Sequence, residues 1–207
     1  MPSKDSKEYS KEHSKEHSKA LSRTHSDALS PTGIPDTHWY QSFAAAGLHD
    51  PAIHGELGHW LKLEGSLTRA LQLRCQHSFR VEILSEGFTR PNREEAHTLG
   101  LSPRHNAWVR EVCLLGDDTP WVLARTIIPM ATLTGRGRRL RHLGRQPLGA
   151  YLFSNTQWQR GLFETGLCQR ESPDQPRAAR RSRFFSGDKT LLVGEYFLPH
   201  GRFYADE

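Results

Sequence analysis

The sequence predicts an α+β fold with an antiparallel sheet, because its strand-like runs follow one another across short turns and its helical runs are grouped between them. The clearest pair of runs is 108–115 and 121–128, which are β-rich and are joined by the turn-rich linker GDDTP, as in a hairpin. Regular alternation of single strands with helices would instead favour a parallel sheet.

Two short helices are predicted ahead of the first strand. Apolar residues recur at helical spacing from Leu57 to Leu73, and this spacing is interrupted at Gly65 and Ser66. Serine is a favourable N-cap, because its hydroxyl accepts a hydrogen bond from a backbone N–H of the first turn. We therefore expect a second helix to begin after Ser66.

Strands are expected where β-branched and aromatic residues are concentrated or alternate with polar ones. The runs that fit this description are 79–84, 108–115, 121–128, 158–167, 181–185 and 191–198. The stretch 130–153 favours helical or irregular structure, and Pro147 stands at a favourable first position for a helix.

Residues 1–38 are predicted to be a disordered, low-complexity extension, and 39–207 a single globular domain. Serine recurs every four residues from Ser6 to Ser30, with Lys and Glu between and no apolar stripe to bury. His13 and His17 could chelate a metal on a helix, but no further ligand stands with them, so a solvated tract is the favoured interpretation.

Composition excludes several classes of protein. Three cysteines without a CxxC motif argue against a disulfide framework and a zinc site. No apolar run approaches the roughly 20 residues that cross a bilayer, and no signal peptide is recognisable. We therefore expect a cytoplasmic protein without a membrane partner. Separately, we expect it to be a monomer.

The net charge of +5 raises the question of nucleic-acid binding. The basic side chains concentrate in two stretches, which contain Arg136, Arg138, Arg139, Arg141, His142 and Arg145, and then Arg177, Arg180, Arg181 and Arg183. Runs of this kind are usually solvated faces, and some of these arginines could attract an anionic substrate to an entrance. We expect no nucleic-acid partner.

Glu195 is the least expected residue of the chain, because it lies within the apolar run TLLVGEYFLP. Strand alternation leaves both faces of this run apolar, which predicts an interior strand. A carboxylate in such a place needs a matching cation or becomes neutral, since desolvating an isolated charge is costly.

Two arginines stand in similar settings on other predicted strands. Arg110 shares a face with Trp108 and Val112, and Arg125 shares a face with Leu123 and Ile127. One interpretation is a buried ion pair that fixes strand register. The other is an internal pocket where two guanidinium groups hold a small carboxylate ligand and Glu195 exchanges or orients a proton.

The chain resembles the chorismate pyruvate-lyase family, whose members make 4-hydroxybenzoate at the entry to ubiquinone biosynthesis. The matching segments keep their order over roughly 57–200 and include GSLTR at 65–69, WVREV at 108–112, PLG at 147–149, YLF at 151–153, RRSR at 180–183, and LL at 191–192 with Glu195 and FLP at 197–199.

The resemblance implies a six-stranded antiparallel sheet with helices packed on one side, helical flaps over an internal site, and no metal or organic cofactor. It implies chorismate as substrate, Glu195 and Arg110 as catalytic residues, and substrate contacts from Leu67, Arg110, Arg125, the backbone around Leu148, and Glu195. Leu67 replaces a methionine that is common in the family, a change that keeps volume and apolarity.

A non-catalytic alternative is a domain that senses small anions, as in transcription regulators of related fold. Such regulators need a DNA-binding domain, and the segment outside the match is of low complexity. The sequence therefore favours the enzyme.

Overall fold

Seven strands form one antiparallel sheet in the computed structural model, which describes residues 33–102, 104–201 and 203–204. The sheet order is β1-β5-β6-β7-β4-β3-β2. The strands are β1 (Thr37–Tyr40), β2 (Phe79–Thr89), β3 (Ala107–Gly116), β4 (Thr119–Pro129), β5 (Gln159–Cys168), β6 (Ala178–Ser186) and β7 (Lys189–Phe197). The predictions about the serine repeat and about His13 and His17 lie outside the described residues.

The expected number of six strands is wrong, because β1 adds a seventh. This strand pairs with β5, with Trp39 opposite Gly166 and Tyr40 opposite Thr165. It has four residues and begins at Thr37, within the segment that the sequence analysis assigned to the extension. A run this short shows no periodicity of its own and is stabilised by pairing with a distant part of the chain.

Five α-helices accompany the sheet among the described residues. They are α1 (Phe43–His49), α2 (Glu56–Lys62), α3 (Leu67–Arg74), α4 (Arg93–Thr98) and α5 (Leu148–Ser154), with short 3₁₀ segments at Pro51–Ile53, Met130–Leu133, Gly135–His142 and Pro199–Gly201. The predicted N-cap is confirmed, since the Ser66 hydroxyl accepts a hydrogen bond from the Arg69 N–H at 3.3 Å.

Most helices cover one face of the sheet. The larger core packs α1, α2 and α3 against side chains such as Val112, Val122 and Phe197. A second core lies on the same face and packs α5 and the 3₁₀ segments against Ile128 and Leu191.

Helix α4 is an exception to the expected packing on one side. Leu99, which follows it, packs with Val109 and Ile127, and the strand register places these two on the face opposite Val112 and Ile128. The side chains of Asn92 and Glu95 cap this helix reciprocally. Both faces of the sheet are therefore covered, and the first carries most of the core.

The β3–β4 hairpin is confirmed and contains one irregularity. Its loop is Asp117–Asp118, both with positive φ, which suits a two-residue hairpin turn. Leu115 then pairs with Pro120 but Leu114 pairs with Val122, so Trp121 is an extra residue in β4. A bulge of this kind shifts every later residue of the strand to the other face.

Candidate active site

A cavity lies between the two cores, under the helices that cover the first face of the sheet. Its empty volume is about 610 Å³, part of which is open to solvent. Its floor is formed by alternate residues of the central strands, and its roof by α3 and α5. The lining is mainly apolar and includes Val112, Leu114, Ala124, Val193, Leu152 and Phe184.

Arg110 reaches the cavity from β3, and only 2% of it is exposed. Its Nη1 lies 3.5 Å from Glu86 Oε2, and its Nη2 donates to the Gln146 carbonyl at 3.3 Å. Burial lowers the pKa of Arg110, and the nearby Glu86 acts in the opposite direction. The guanidinium remains charged at neutral pH, because arginine is not deprotonated in proteins.

Glu195 reaches the cavity from β7, which is an interior strand as predicted. Its cross-strand neighbour on β6 is Arg180, which is fully buried and donates from Nε to Glu195 Oε2 at 2.6 Å. Arg180 Nη1 also donates to the carbonyls of Trp60 and Leu63, while its Nη2 has no hydrogen-bond partner among the described residues. Arg180 is therefore the cation that matches the buried carboxylate.

Arg160 is the second arginine in the cavity lining, and it extends from β5. Its guanidinium carbon lies 4.5 Å from the ring centroid of Phe153 and 4.7 Å from that of Phe163. Its Nη2 donates to the Gly65 carbonyl, in the loop between α2 and α3. Burial lowers the pKa of Arg160 to about 10, with Glu195 and Arg180 acting in opposite directions.

The roof contains the two apolar residues that the sequence analysis selected. Leu67 is the first residue of α3 and is 2% exposed, and Leu148 is the first residue of α5. Both line the cavity. The two helices meet closely at Gly149, where an added Cβ would lie 3.2 Å from Thr68 Oγ1.

Arg125 does not reach the cavity, which corrects the expectation that it shares a chamber with Arg110. In the shifted register Arg110 pairs with Thr126, and Arg125 pairs with Glu111 on the opposite face. There its Nε lies 2.6 Å from Glu95, and its Nη1 lies 2.6 Å from Glu111. Burial alone lowers the pKa of Arg125, but these two ion pairs outweigh burial and raise it.

The structure thus brings together four of the five predicted site residues: Leu67, Arg110, Leu148 and Glu195. Arg180 and Arg160 were not among the predicted site residues. Arg180 and Arg181 are neighbours in one basic run, and their side chains point to opposite faces of β6. Only the pairing register shows that Arg180 is the one opposite Glu195. Arg160 stands directly before a register shift in β5, which lies between Arg160 and Phe163, so alternation along the strand does not place it.

Metal binding and membrane insertion are two further properties on which the described residues bear. No three or more His, Cys, Asp or Glu side chains are grouped there so that they could hold a metal ion. No helix in that part of the chain is long and apolar enough to span a membrane.

The fold and the cavity define an α+β protein with an arginine-lined cavity under its helices. A family model described as "Chorismate lyase" matches residues 45–207, and the chain belongs to this family. A protein from Marinobacter nauticus named "Probable chorismate pyruvate-lyase" is 61% identical over 166 residues, which cover 80% of this chain and 88% of the relative. A "Chorismate pyruvate-lyase" from Pectobacterium atrosepticum is 40% identical over 150 residues, covering 72% and 80% respectively.

Among solved structures, a GntR-family transcriptional regulator from Bacillus cereus aligns with a TM-score of 0.43 and 13% sequence identity. The alignment covers 62% of this chain and 96% of the regulator. A likeness at this level carries no argument about function.

Proposed function

We propose that this protein is a chorismate pyruvate-lyase, which converts chorismate to 4-hydroxybenzoate and pyruvate in the first step of ubiquinone biosynthesis. Membership of the chorismate lyase family supports this activity. The observation that carries the proposal for the site is the meeting of Arg110 and Glu195 in one enclosed cavity. A dianionic substrate suits a cavity whose lining holds more guanidinium groups than carboxylates.

The chemistry asks little of the protein. The ring carbon–oxygen bond to the enolpyruvyl group breaks, and the ring carbon that bears the hydroxyl loses a proton. The released enolpyruvate gains a proton and becomes pyruvate, while the ring becomes aromatic. Aromatisation supplies much of the driving force, so positioning and charge stabilisation are the main tasks left to the residues.

Arg110 binds a carboxylate of the substrate in this proposal, and Glu195 forms a hydrogen bond with the ring hydroxyl. Arg180 holds Glu195 in place, because it contacts this carboxylate from the neighbouring strand and is itself fixed by two backbone carbonyls. Leu67 and Leu148 close the cavity over the ring. Preorganised donors of this kind typically contribute a few kcal/mol, roughly 10²–10³ in rate.

The organisation proposed with this activity is an extension over 1–38 and a catalytic domain over 39–207, acting as a monomer without nucleic acid. Size-exclusion chromatography with light scattering measures the mass of the particle directly. A mass of two chains would contradict the monomer.

Incubation of the purified full chain with chorismate tests the activity. We expect 4-hydroxybenzoate and pyruvate in equal amounts. Release of 2- or 3-hydroxybenzoate would keep the reaction class and contradict the position of the hydroxyl. Binding of chorismate with no release of pyruvate would contradict the enzyme and agree with a non-catalytic sensor.

A further inference from the structure

Arg160 differs from Arg110, the other arginine of the cavity lining, and from Arg180, which holds Glu195, in its lack of a carboxylate partner. Arg180 is paired with Glu195 and Arg110 with Glu86. Arg160 has no carboxylate within 4.0 Å among the described residues, and its buried Nε has no hydrogen-bond partner there. Partly burying an unpaired guanidinium in this way costs free energy, and a bound anionic ligand would offset that cost.

The surroundings of Arg160 fix its head group without neutralising it. Phe153, Phe163 and Phe184 lie around the guanidinium, with its carbon 4.5–5.3 Å from their ring centroids. The single hydrogen bond from Nη2 to the Gly65 carbonyl orients the group. The remaining donors are left for a ligand in the cavity that Arg160 lines.

The order of the strands assigns a part of the substrate to this arginine. Arg110 lies on β3 and Glu195 on β7, so a ring with its carboxylate at Arg110 and its hydroxyl at Glu195 runs across β4 between them. In chorismate the enolpyruvyl ether is on the carbon next to the hydroxyl. The ether therefore leaves the ring from its side, next to the hydroxyl at Glu195, and its carboxylate can reach toward β6 and β5, where Arg160 stands.

We infer that Arg160 binds the carboxylate of the enolpyruvyl group, while Arg110 binds the ring carboxylate. The inference rests on the proposed lyase function and assigns one anchor to each of the two negative charges. Arg160 then discriminates the substrate, which carries both carboxylates, from 4-hydroxybenzoate, which retains only the one at Arg110. It also stabilises the negative charge that develops on the leaving enolpyruvate.

The test compares the effect of one charge on two ligands. Arg160→Gln removes the charge and keeps a donor for the Gly65 carbonyl, and Arg160→Lys keeps the charge. We expect Arg160→Gln to lower kcat/KM for chorismate roughly ten- to a hundredfold, the loss of one hydrogen bond to a charged group. The inhibition constant of 4-hydroxybenzoate should change less than about twofold, and Arg160→Lys should recover most of kcat/KM.

Matched variants complete the test. Arg110→Gln should weaken chorismate turnover and 4-hydroxybenzoate binding together. Arg183→Gln removes the same charge from an exposed position on the opposite face of β6 and should leave both constants as in the wild type.

Two results would overturn the inference. One is a parallel rise of the 4-hydroxybenzoate inhibition constant in Arg160→Gln, which would indicate a merely structural contact with Gly65. The other is unchanged kcat/KM. If Arg160→Gln fails to fold, Arg160→Lys still tests the inference. This variant keeps the charge, so it should discriminate between chorismate and 4-hydroxybenzoate as the wild type does, and loss of that discrimination would overturn the inference. Failure of wild-type protein to release pyruvate would instead contradict the proposed function.

Discussion

Arg110 and Arg125 lie on the two strands of one hairpin but on opposite faces of the sheet. Arg110 pairs with Thr126 and enters the cavity, whereas Arg125 pairs with Glu111 and is held between two carboxylates. The two side chains therefore have separate tasks. The first is available to a ligand, and the second neutralises carboxylates that the fold has buried.

Replacing these two arginines should separate activity from stability. Arg125→Gln leaves Glu95 and Glu111, which are 7% and 4% exposed, without their cation. Breaking a buried ion pair costs about 3–5 kcal/mol, so unfolding by urea should shift strongly. The folded fraction should keep the wild-type kcat/KM. Arg110→Gln should show the reverse pattern, since the Glu86 side chain is 30% exposed and remains hydrated.

A loss of catalysis in well-folded Arg125→Gln would contradict this separation and indicate that Arg125 acts on the substrate. Circular dichroism before each assay identifies the folded fraction.

Glu195→Gln should lower kcat/KM about a hundredfold if the carboxylate takes part in proton transfer. Wild-type turnover in this variant would remove any acid or base role. The substitution keeps the shape of the side chain, so a change in activity is not a packing effect. Assays with chorismate over several pH values measure the outcome.

The partner of Glu195 offers a second comparison. Arg180→Met alone leaves the carboxylate without its cation and should cost about 3–5 kcal/mol in stability. Arg180→Met combined with Glu195→Leu removes both charges and should recover most of that loss while remaining inactive. If the double variant were as unstable as the single one, the ion pair would not be the source of the cost.

Asp117 should make the stability of the protein sensitive to acid. Its carboxylate accepts hydrogen bonds from the N–H groups of Gln76, His77 and Ser78, and these lower its pKa from 3.8 to about 2. Because the pKa is lower in the folded state, the contribution is full above about pH 4 and is lost as the pH falls toward 2.

Asp117→Asn should therefore lower stability at pH 7 and flatten the loss of stability between pH 4 and 2. Asparagine tolerates the positive φ of this turn position. Asp118→Asn is the matched control, since Asp118 shares the turn and the positive φ, and its carboxylate forms an exposed ion pair with Arg80 at 3.3 Å. Equal acid profiles for the two variants would contradict the role of Asp117.

Gly116→Ala should destabilise the hairpin at its bulge. A Cβ at this position would lie 2.4 Å from the ring of Trp121, which is the extra residue of β4 and part of the larger core. Forcing the ring aside should cost about 1–3 kcal/mol. Gly87→Ala on β2 is the control, because nothing lies within 4 Å of its added Cβ. Similar melting temperatures for the two variants would contradict this packing.

Local patterns predicted most of the fold, because the signals for strands, turns and the Ser66 cap lie within a few residues. All six predicted strands and both early helices are present. The four residues of β1 carry no comparable signal, and their pairing with β5 is decided far along the chain.

The candidate site was less predictable, because it depends on register. A regular ladder from the two-residue turn would place Arg125 directly opposite Arg110 on one face. The single extra residue, Trp121, moves Arg125 to the other face of the sheet. Arg180 could not be predicted for the same reason, because its position opposite Glu195 follows from the pairing of β6 with β7.

The short strand β1 limits how far the chain can be trimmed from its N-terminus. Removing residues through Tyr40 would leave the outer edge of β5 without its hydrogen-bonding partner strand. It would also delete Trp39, whose ring centroid lies 4.3 Å from the guanidinium carbon of Arg181. A bare edge next to Leu162, which is 91% exposed, is a template for aggregation. Shortened versions that start before Ile34 keep this protecting strand, and versions that start after Tyr40 should precipitate.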